Sequence, residues 1–414
     1  MTRTKDSKEL LKYLNTNFKG NEYNTKKNSK KIFREIYDNI VEGTIFVQNE
    51  KKRLKKRGFY NVDYDIIETE SDIPFPTKFT YNAFPSEIRK HINERAFSKL
   101  KYKFNLFQRK INIIFVSEEN LQSKIPTYNH YVDNMLSWLY IVNEYSSSRC
   151  NRQITIYIYL TTHKKELPQT QMEVLDQIHV NTAFTYPCRG ESEIVLFRRE
   201  EWFKCFIHET FHSFGLDFCD SVNNICENEI KQIFGVNTQV KLFESYTEFW
   251  ARIINTAFCC YNSLQDKYFD EFFDLFPLMF NYEIQFSFIQ LIKVLDHMGL
   301  TYRSLYTADE YSVASRSTLY KEKSSILAYY VITTVLMNNY TSFLMWCSKN
   351  NLNLFQFKKT PTNEKAFCSF IRRNYKTKHF LDNLDNTYKI LHNKKKQLPT
   401  LCYKTLRMTV IENV

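Results

Sequence analysis

The feature that most constrains the fold is IHETFHSFGLDF at residues 207–218, which carries two histidines four residues apart. Around it, mainly apolar residues recur at spacings of three and four, at Phe203, Phe206, Ile207, Thr210, Phe211 and Phe214. This period predicts a helix over residues 200–214. His208 and His212 then lie on one face of the helix, one turn apart. Gly215 follows where a left-handed residue is expected to end the helix.

The paired histidines predict a metal site. Two imidazoles at this spacing can bind a single Zn²⁺ at about 2.0–2.1 Å. Glu209 lies one residue further round the helix, where it can contact a metal-bound water as a general base without being a ligand. Catalytic zinc also needs a third protein ligand and one open position. We therefore expect one Zn²⁺ at His208 and His212, completed by a residue from elsewhere in the chain.

A second amphipathic helix is predicted at LFESYTEFWARII, residues 242–254. Its apolar face comprises Leu242, Phe243, Tyr246, Phe249, Trp250 and Ile253. Glu244 and Glu248 stand one turn apart on its more polar side. One carboxylate at this spacing can bind zinc, while the other accepts a hydrogen bond from the free N–H of a ligand histidine. The spacing alone leaves open which glutamate takes which part.

HETFH at 208–212 followed by ESYTE at 244–248 resembles the gluzincin branch of the zincin metallopeptidases. The resemblance implies His208, His212 and Glu244 as zinc ligands, Glu209 as the base, and Glu248 as the acid that orients a ligand histidine. Glu248 stands where that branch usually has aspartate, so the third ligand remains open between Glu244 and Glu248.

The residues before the motif carry the same resemblance, which covers about residues 110–260. VNTAFTY at 180–186 resembles the edge strand on which such enzymes lay an extended peptide. Together with EEWFKCFIHETFHSFGLDF, it also resembles metallopeptidase-like proteins of large DNA viruses. The resemblance implies a zincin-like fold and a peptide or protein substrate.

Three other interpretations of the motif remain. A metzincin-like site would take its third ligand shortly after Gly215, where Asp217 is the nearest candidate. A deformylase-like site would take an upstream cysteine, for which Cys188 is available. Alternatively, both histidines are ordinary packed or solvated helix residues, as they are in many proteins.

Residue patterns place several strands before the motif helix and mostly helices after it. Strands are predicted at 110–116, 153–160, 180–186 and 193–197, and helices at 31–41, 85–100, 131–145, 242–260, 278–298, 324–347 and 364–374. We predict an α+β, zincin-like fold with a mixed or antiparallel sheet of about four strands over the motif helix. The expected organisation is a basic, partly helical appendage at 1–60, a metallopeptidase core at 61–260 and a helical region with a basic tail at 261–414.

Charge and cysteine usage bear on partners and compartment. Residues 1–60 carry 16 lysines and arginines against 7 acidic residues, with the densest run, KKRLKKR, at 51–57. Such a segment is usually a solvated face, but it can also bind an anionic partner or nucleic acid. The N-terminal MTRTKDSKEL lacks an apolar signal region, and no apolar run is long enough to span a membrane. We expect free thiols in the cytoplasm or another reducing compartment, or in the virion or host cytoplasm if the source is viral.

The sequence thus predicts zinc-dependent peptide-bond hydrolysis, with Glu209 as general base. The competing hypothesis is a non-catalytic structural or nucleic-acid-associated protein, whose zinc site is vestigial or purely structural.

Overall fold

The computed structural model describes residues 3–18, 29–54, 60–80, 83–221, 225–393 and 398–412. The chain divides into two compact units, and each is made of segments that are separate in sequence. The sheet unit comprises Glu35–Lys164 and Asn181–Leu216. The helical unit comprises Met1–Arg34, Lys165–Val180 and Asp217–Val414.

A six-stranded mixed sheet organises the sheet unit. Its strands are β1 (Asn61–Ile66), β2 (Ser98–Leu106), β3 (Arg109–Ser117), β4 (Gln153–Tyr159), β5 (Ala183–Thr185) and β6 (Glu191–Leu196). Their order across the sheet is β1-β2-β3-β4-β6-β5. The central strands β3, β4 and β6 are parallel, whereas β1, β2 and β5 pair antiparallel with their neighbours. The predicted α+β class with a mixed sheet is confirmed.

The prediction of about four strands is wrong, because β1 and β2 were missed. In β2, Leu100 and Tyr102 are buried and alternate with more exposed lysines, which is the period-two pattern of a half-buried strand. That pattern begins inside 85–100, which was predicted to be helical; the helix there ends at Arg95. β1 has no comparable signal, since its residues are mostly exposed and, within the described ranges, it pairs only with β2.

The central strands of the sheet unit are largely buried and form its core. Its helices are α2 (Lys30–Arg53, most of which belongs to this unit), α3 (Ser86–Arg95), α4 (Ile125–Tyr145) and α6 (Trp202–Ser213). Ile113, Ile156 and Ile194 stand side by side on neighbouring strands, and all three are fully buried. α4 and α6 contact each other, and α6 also lies against β5 and β6. The sheet thereby supports the helix that carries the motif.

A disulfide joins Cys150 to Cys188 within the sheet unit. It connects the turn before β4 to the loop between β5 and β6. The expectation of free thiols is therefore wrong for this pair, although the other eight cysteines, all within the described ranges, form no disulfide. The two residues are 38 apart in sequence, and no spacing rule predicts such a pairing.

The helical unit contains most of the remaining helices. They are α1 (Lys5–Asn17), α5 (Gln177–Val180), α7 (Ile225–Ile233), α8 (Leu242–Ser263), α9 (Phe269–His297), α10 (Glu310–Leu319), α11 (Thr333–Asn338), α12 (Tyr340–Asn350), α13 (Pro361–Asn374), α14 (Lys378–Asn393) and α15 (Thr400–Lys404). A π-helical turn, Leu327–Ile332, precedes α11. The helices predicted at 242–260, 278–298 and 364–374 are confirmed as α8, α9 and α13. Among the described residues, none of the helices has the length and apolar character needed to cross a membrane.

The chain near its C-terminus is held inside the helical unit by polar side chains of α9. Residues 405–411 are all buried. Glu283 accepts hydrogen bonds from the backbone N–H groups of Val410 and Ile411, at 3.0 and 2.8 Å. Lys293 donates to the carbonyl oxygens of Cys402 and Thr405. These buried charges are thus solvated by backbone dipoles of their own unit.

Candidate metal centre

α6 begins and ends at left-handed residues. Glu201, at φ 59°, precedes the first turn, and Gly215, at φ 70°, follows the last. The Gly215 N–H donates to the His212 carbonyl at 3.0 Å, and the Leu216 N–H donates to the Phe211 carbonyl at 2.8 Å. This is the hydrogen-bond pattern of a glycine-terminated helix, and it confirms the predicted role of Gly215.

The two motif histidines are in contact on one face of α6. Their Nε2 atoms are 3.2 Å apart, and the rings meet edge to face with centroids 5.0 Å apart. Both side chains are buried, with 6% and 8% of their surface exposed. Two nitrogens bound tetrahedrally to one Zn²⁺ at about 2.0–2.1 Å lie about 3.3 Å from each other. The observed separation therefore fits two ligands of one zinc ion.

Glu209 lies on the same turn of α6 as the two histidines. Only 7% of its surface is exposed, so its carboxylate is held in a largely water-excluded environment. Successive helix residues are about 100° apart around the axis, which places Glu209 beside the histidine face rather than on it. This is the position expected of a base that acts next to a metal without binding it.

The opposite side of α6 is fixed to α4 by a buried hydrogen bond. The indole Nε1–H of Trp138 donates to Thr210 Oγ1 at 2.7 Å, and the Thr210 hydroxyl donates to the Ile207 carbonyl at 2.6 Å. The Trp138 ring also stacks on Phe211, with centroids 6.0 Å apart. The sequence gives no signal for this pair, because the contact depends on how α4 packs against α6.

Strand β5 forms the edge of the sheet next to β6. It is shorter than the predicted strand over 180–186, with only Ala183–Thr185 paired to β6. An edge strand has a second set of backbone groups, which can pair with another extended chain. Because β5 and β6 lie against α6, this edge belongs to the same unit as the two histidines.

Glu244 and Glu248 lie on α8, in the helical unit. Glu248 is fully buried, and its Oε1 accepts a hydrogen bond from Arg252 Nε at 2.9 Å. Glu244 is in the first turn of α8 and is partly exposed. The two glutamates that the sequence left interchangeable therefore have different surroundings within their own unit.

Asp217 and Cys188 are the candidate third ligands of the metzincin-like and deformylase-like sites. Asp217 is buried in the helical unit, where its Oδ2 accepts a hydrogen bond from Thr247 Oγ1 at 3.3 Å. Cys188 is bonded to Cys150, so it has no thiolate to offer as the ligand of a deformylase-like site.

The basic run at 51–57 is only partly described by the structure, since residues 55–57 lie outside the described ranges. Lys51 Nζ pairs with Asp133 Oδ2 at 2.7 Å, and Arg53 pairs with Glu50 at 2.6 Å. These two charges at the end of α2 are thus balanced by neighbouring acids. An anionic or nucleic-acid partner for residues 1–60 stays a prediction.

Comparison with known proteins supplies no relative from which a function could be transferred. No family model, curated protein or solved structure matches the chain. The assignment of a function therefore depends on the side chains of this chain itself.

Proposed function

We propose that the protein is a zinc-dependent peptidase with a zincin-like catalytic unit. The observation that carries the proposal is the 3.2 Å separation of the buried Nε2 atoms of His208 and His212. This separation brings two basic groups together on the face of a helix whose opposite side is anchored. A shared metal ion explains why both nitrogens point to the same place.

A hydrogen bond between the two imidazoles is the alternative explanation for this distance. In that arrangement one neutral ring donates its N–H to the other, and no metal is needed. The two explanations differ in what happens when one ring is removed. Loss of a hydrogen bond changes stability, whereas loss of a ligand changes the metal content of the protein.

The remaining roles follow from the chemistry of the neighbouring side chains. We assign Glu244 as the third ligand, because it is the partly exposed glutamate of the pair on α8, whereas Glu248 is already paired with Arg252. Glu209 would accept the proton of the attacking water and return it to the leaving amine. When bound, zinc would polarise the scissile carbonyl and lower the pKa of its water to about 7.

Glu248 would hold a ligand histidine by its N–H while Arg252 balances its charge. A carboxylate has about four acceptor positions, so its bond from Arg252 Nε does not use up its capacity. The bond from Arg252 is charge-assisted, and such bonds are stronger than those between neutral groups.

The substrate would be an extended peptide that pairs with the edge of β5. Strand addition gives affinity through main-chain hydrogen bonds, whatever the side chains of the peptide. The position of β5 beside β6 and α6 supports this proposal, because a peptide on that edge would run past the helix that bears Glu209.

The test is zinc stoichiometry in purified variants. Wild-type protein is expected to bind about one equivalent, and His208→Ala or His212→Ala should lose it, because each removes one of three protein ligands. His130→Ala is the matched control, since His130 is an exposed histidine on α4 in the same unit. Zinc retained in both motif variants would refute the proposed ligands and favour the imidazole–imidazole hydrogen bond.

A further inference from the structure

The helix that carries the two histidines has to be fixed in rotation as well as in position. With side chains, an α-helix is about 10–12 Å across, so a rotation of 5° moves a side-chain tip by about 0.5 Å. A functional constellation tolerates a misplacement of only about 0.5 Å. Small rotations of α6 therefore matter for any ligand that His208 and His212 share.

Apolar packing alone defines the rotation of a helix poorly. The apolar residues of α6, such as Phe206, Ile207 and Phe211, are fully buried. Hydrophobic burial is non-directional, so a small turn of the helix changes the buried area little. A hydrogen bond between buried groups is directional and loses strength steeply when its angle or length changes.

The Trp138–Thr210 hydrogen bond is a directional constraint of this kind, and it acts on the side of α6 opposite the two histidines. Thr210 stands between His208 and His212 in sequence, about 160–200° round the helix from them. Both Trp138 and Thr210 are fully buried, so water cannot replace either partner. The indole of Trp138 offers one N–H donor, and the 2.7 Å bond uses it. If this bond were lost, the donor would be buried and unsatisfied, which is costly.

We infer that Trp138 and Thr210 are positioning residues, which set the rotation of α6 and hence the separation of the two Nε2 atoms. This inference rests on the proposed function only where it concerns zinc. The geometric part, that the hydrogen bond fixes the histidine face, holds with or without metal. Neither residue is proposed to contact the metal or the substrate.

The experiment compares three threonine variants of the full chain. Thr210→Val removes the hydroxyl but nearly keeps the shape, while Thr210→Ser restores the hydroxyl. Thr161→Val is the matched control, because Thr161 is also buried in the sheet unit and its hydroxyl donates to the Phe197 carbonyl at 2.7 Å. The control therefore loses an equally buried hydrogen bond that does not involve α6.

Zinc affinity and the visible spectrum of the Co²⁺-substituted protein are the first readouts. Thr210→Val should weaken zinc binding by about 10-fold and alter the Co²⁺ spectrum, as expected for a partner that orients ligands from outside the coordination sphere. Thr210→Ser should restore both properties, and Thr161→Val should leave them unchanged. Unchanged affinity in Thr210→Val, or equal loss in Thr161→Val, would overturn the inference while leaving the proposed function intact.

A metal-free readout separates this inference from the proposed function. In apo protein, the imidazole NMR signals of His208 and His212 should shift in Thr210→Val and return in Thr210→Ser. If wild-type protein binds no zinc but these signals respond, the positioning role stands and the proposed function fails. If the signals do not respond, the positioning role is wrong whatever the metal content.

Discussion

The histidine face of α6 and the core of the helical unit differ in how their buried polar groups are paired. In the helical unit, buried charges meet opposite charges or backbone dipoles, as Glu248 does with Arg252 and Lys293 with the carbonyls of Cys402 and Thr405. In the sheet unit, α6 instead brings two basic rings, His208 and His212, to 3.2 Å from each other. A contact between two imidazole nitrogens requires either a shared metal ion or a neutral ring that donates its N–H to the other ring.

α8 shows the same distinction within one helix. Glu248 is buried with Arg252, a pairing that a folded core requires because an unpaired buried charge is costly. Glu244, one turn earlier, is partly exposed. This difference is the reason why we propose Glu244 for the metal and Glu248 for the support of a ligand, and each proposal can be tested by a single substitution.

The largest effect is expected from Glu209→Gln. The amide nearly matches the carboxylate in shape but cannot accept a proton, so peptidase activity should fall by about 10²–10⁴-fold. Zinc content and thermal stability should stay close to wild type, since Glu209 is not a proposed ligand. Activity on a peptide library, measured beside the metal content of the same preparation, checks this; full turnover by the variant would exclude Glu209 as base.

The next effect tests the difference between Glu244 and Glu248. Glu244→Gln should nearly abolish zinc binding, whereas Glu248→Gln should weaken it by about 10–100-fold. Glutamine is preferable to alanine at 248, because alanine would leave Arg252 buried without its partner. Competition with a zinc chelator gives both affinities.

Two outcomes of that comparison would require a different site. The reverse order of effects would mean that Glu248 is the ligand and Glu244 the supporting acid. No effect from either change, together with zinc loss in Asp217→Ala, would favour the metzincin-like alternative.

A further effect, on stability rather than on zinc binding or activity, concerns a purely structural charge in the helical unit. Burial lowers the pKa of Lys293 from 10.5 to about 8. Between these values the unfolded chain binds a proton that the folded chain has released, so stability should rise with pH in this window. The shift corresponds to about 3 kcal/mol of stability, which is gained as the pH rises from about 8 to 10.5. None of this gain is present below pH 8, where Lys293 is protonated in both the folded and the unfolded state.

Lys293→Met isolates this contribution. The difference in unfolding free energy between wild type and Lys293→Met should change by up to about 3 kcal/mol from pH 7.5 to 10.5. Other titrating groups contribute to both proteins and cancel. Lys404→Met, which removes an exposed lysine, should give a curve parallel to wild type. Parallel curves for Lys293→Met would show that this lysine is not held in the buried form described.

Local periodicity explains which parts of the fold were predictable from sequence. α6, β3 and β4 carry strong patterns of period 3.6 or two, and Gly215 supplies a helix end with a physical reason. β1 was missed because its exposed residues carry no core pattern, and β2 because its alternation follows directly on a helix. A local pattern indicates which face of a segment is buried. It therefore gives no signal for a segment such as β1, most of whose residues are exposed.

The same limit applies to the site. His208, Glu209 and His212 share one helical turn, so spacing alone places them together. The Trp138–Thr210 bond and the Cys150–Cys188 disulfide join residues that are 72 and 38 positions apart, and each depends on tertiary packing. Neither residue type nor spacing distinguishes such partners from the other tryptophans, threonines and cysteines of the chain.

The most direct test of the central claim is X-ray absorption at the zinc edge of the purified wild-type protein, repeated on Glu244→Gln. We predict one zinc ion with two imidazole ligands at about 2.0–2.1 Å and one carboxylate oxygen, and loss of the zinc or of that oxygen in the variant. A protein without zinc, or a zinc ion without two imidazole ligands, would contradict it.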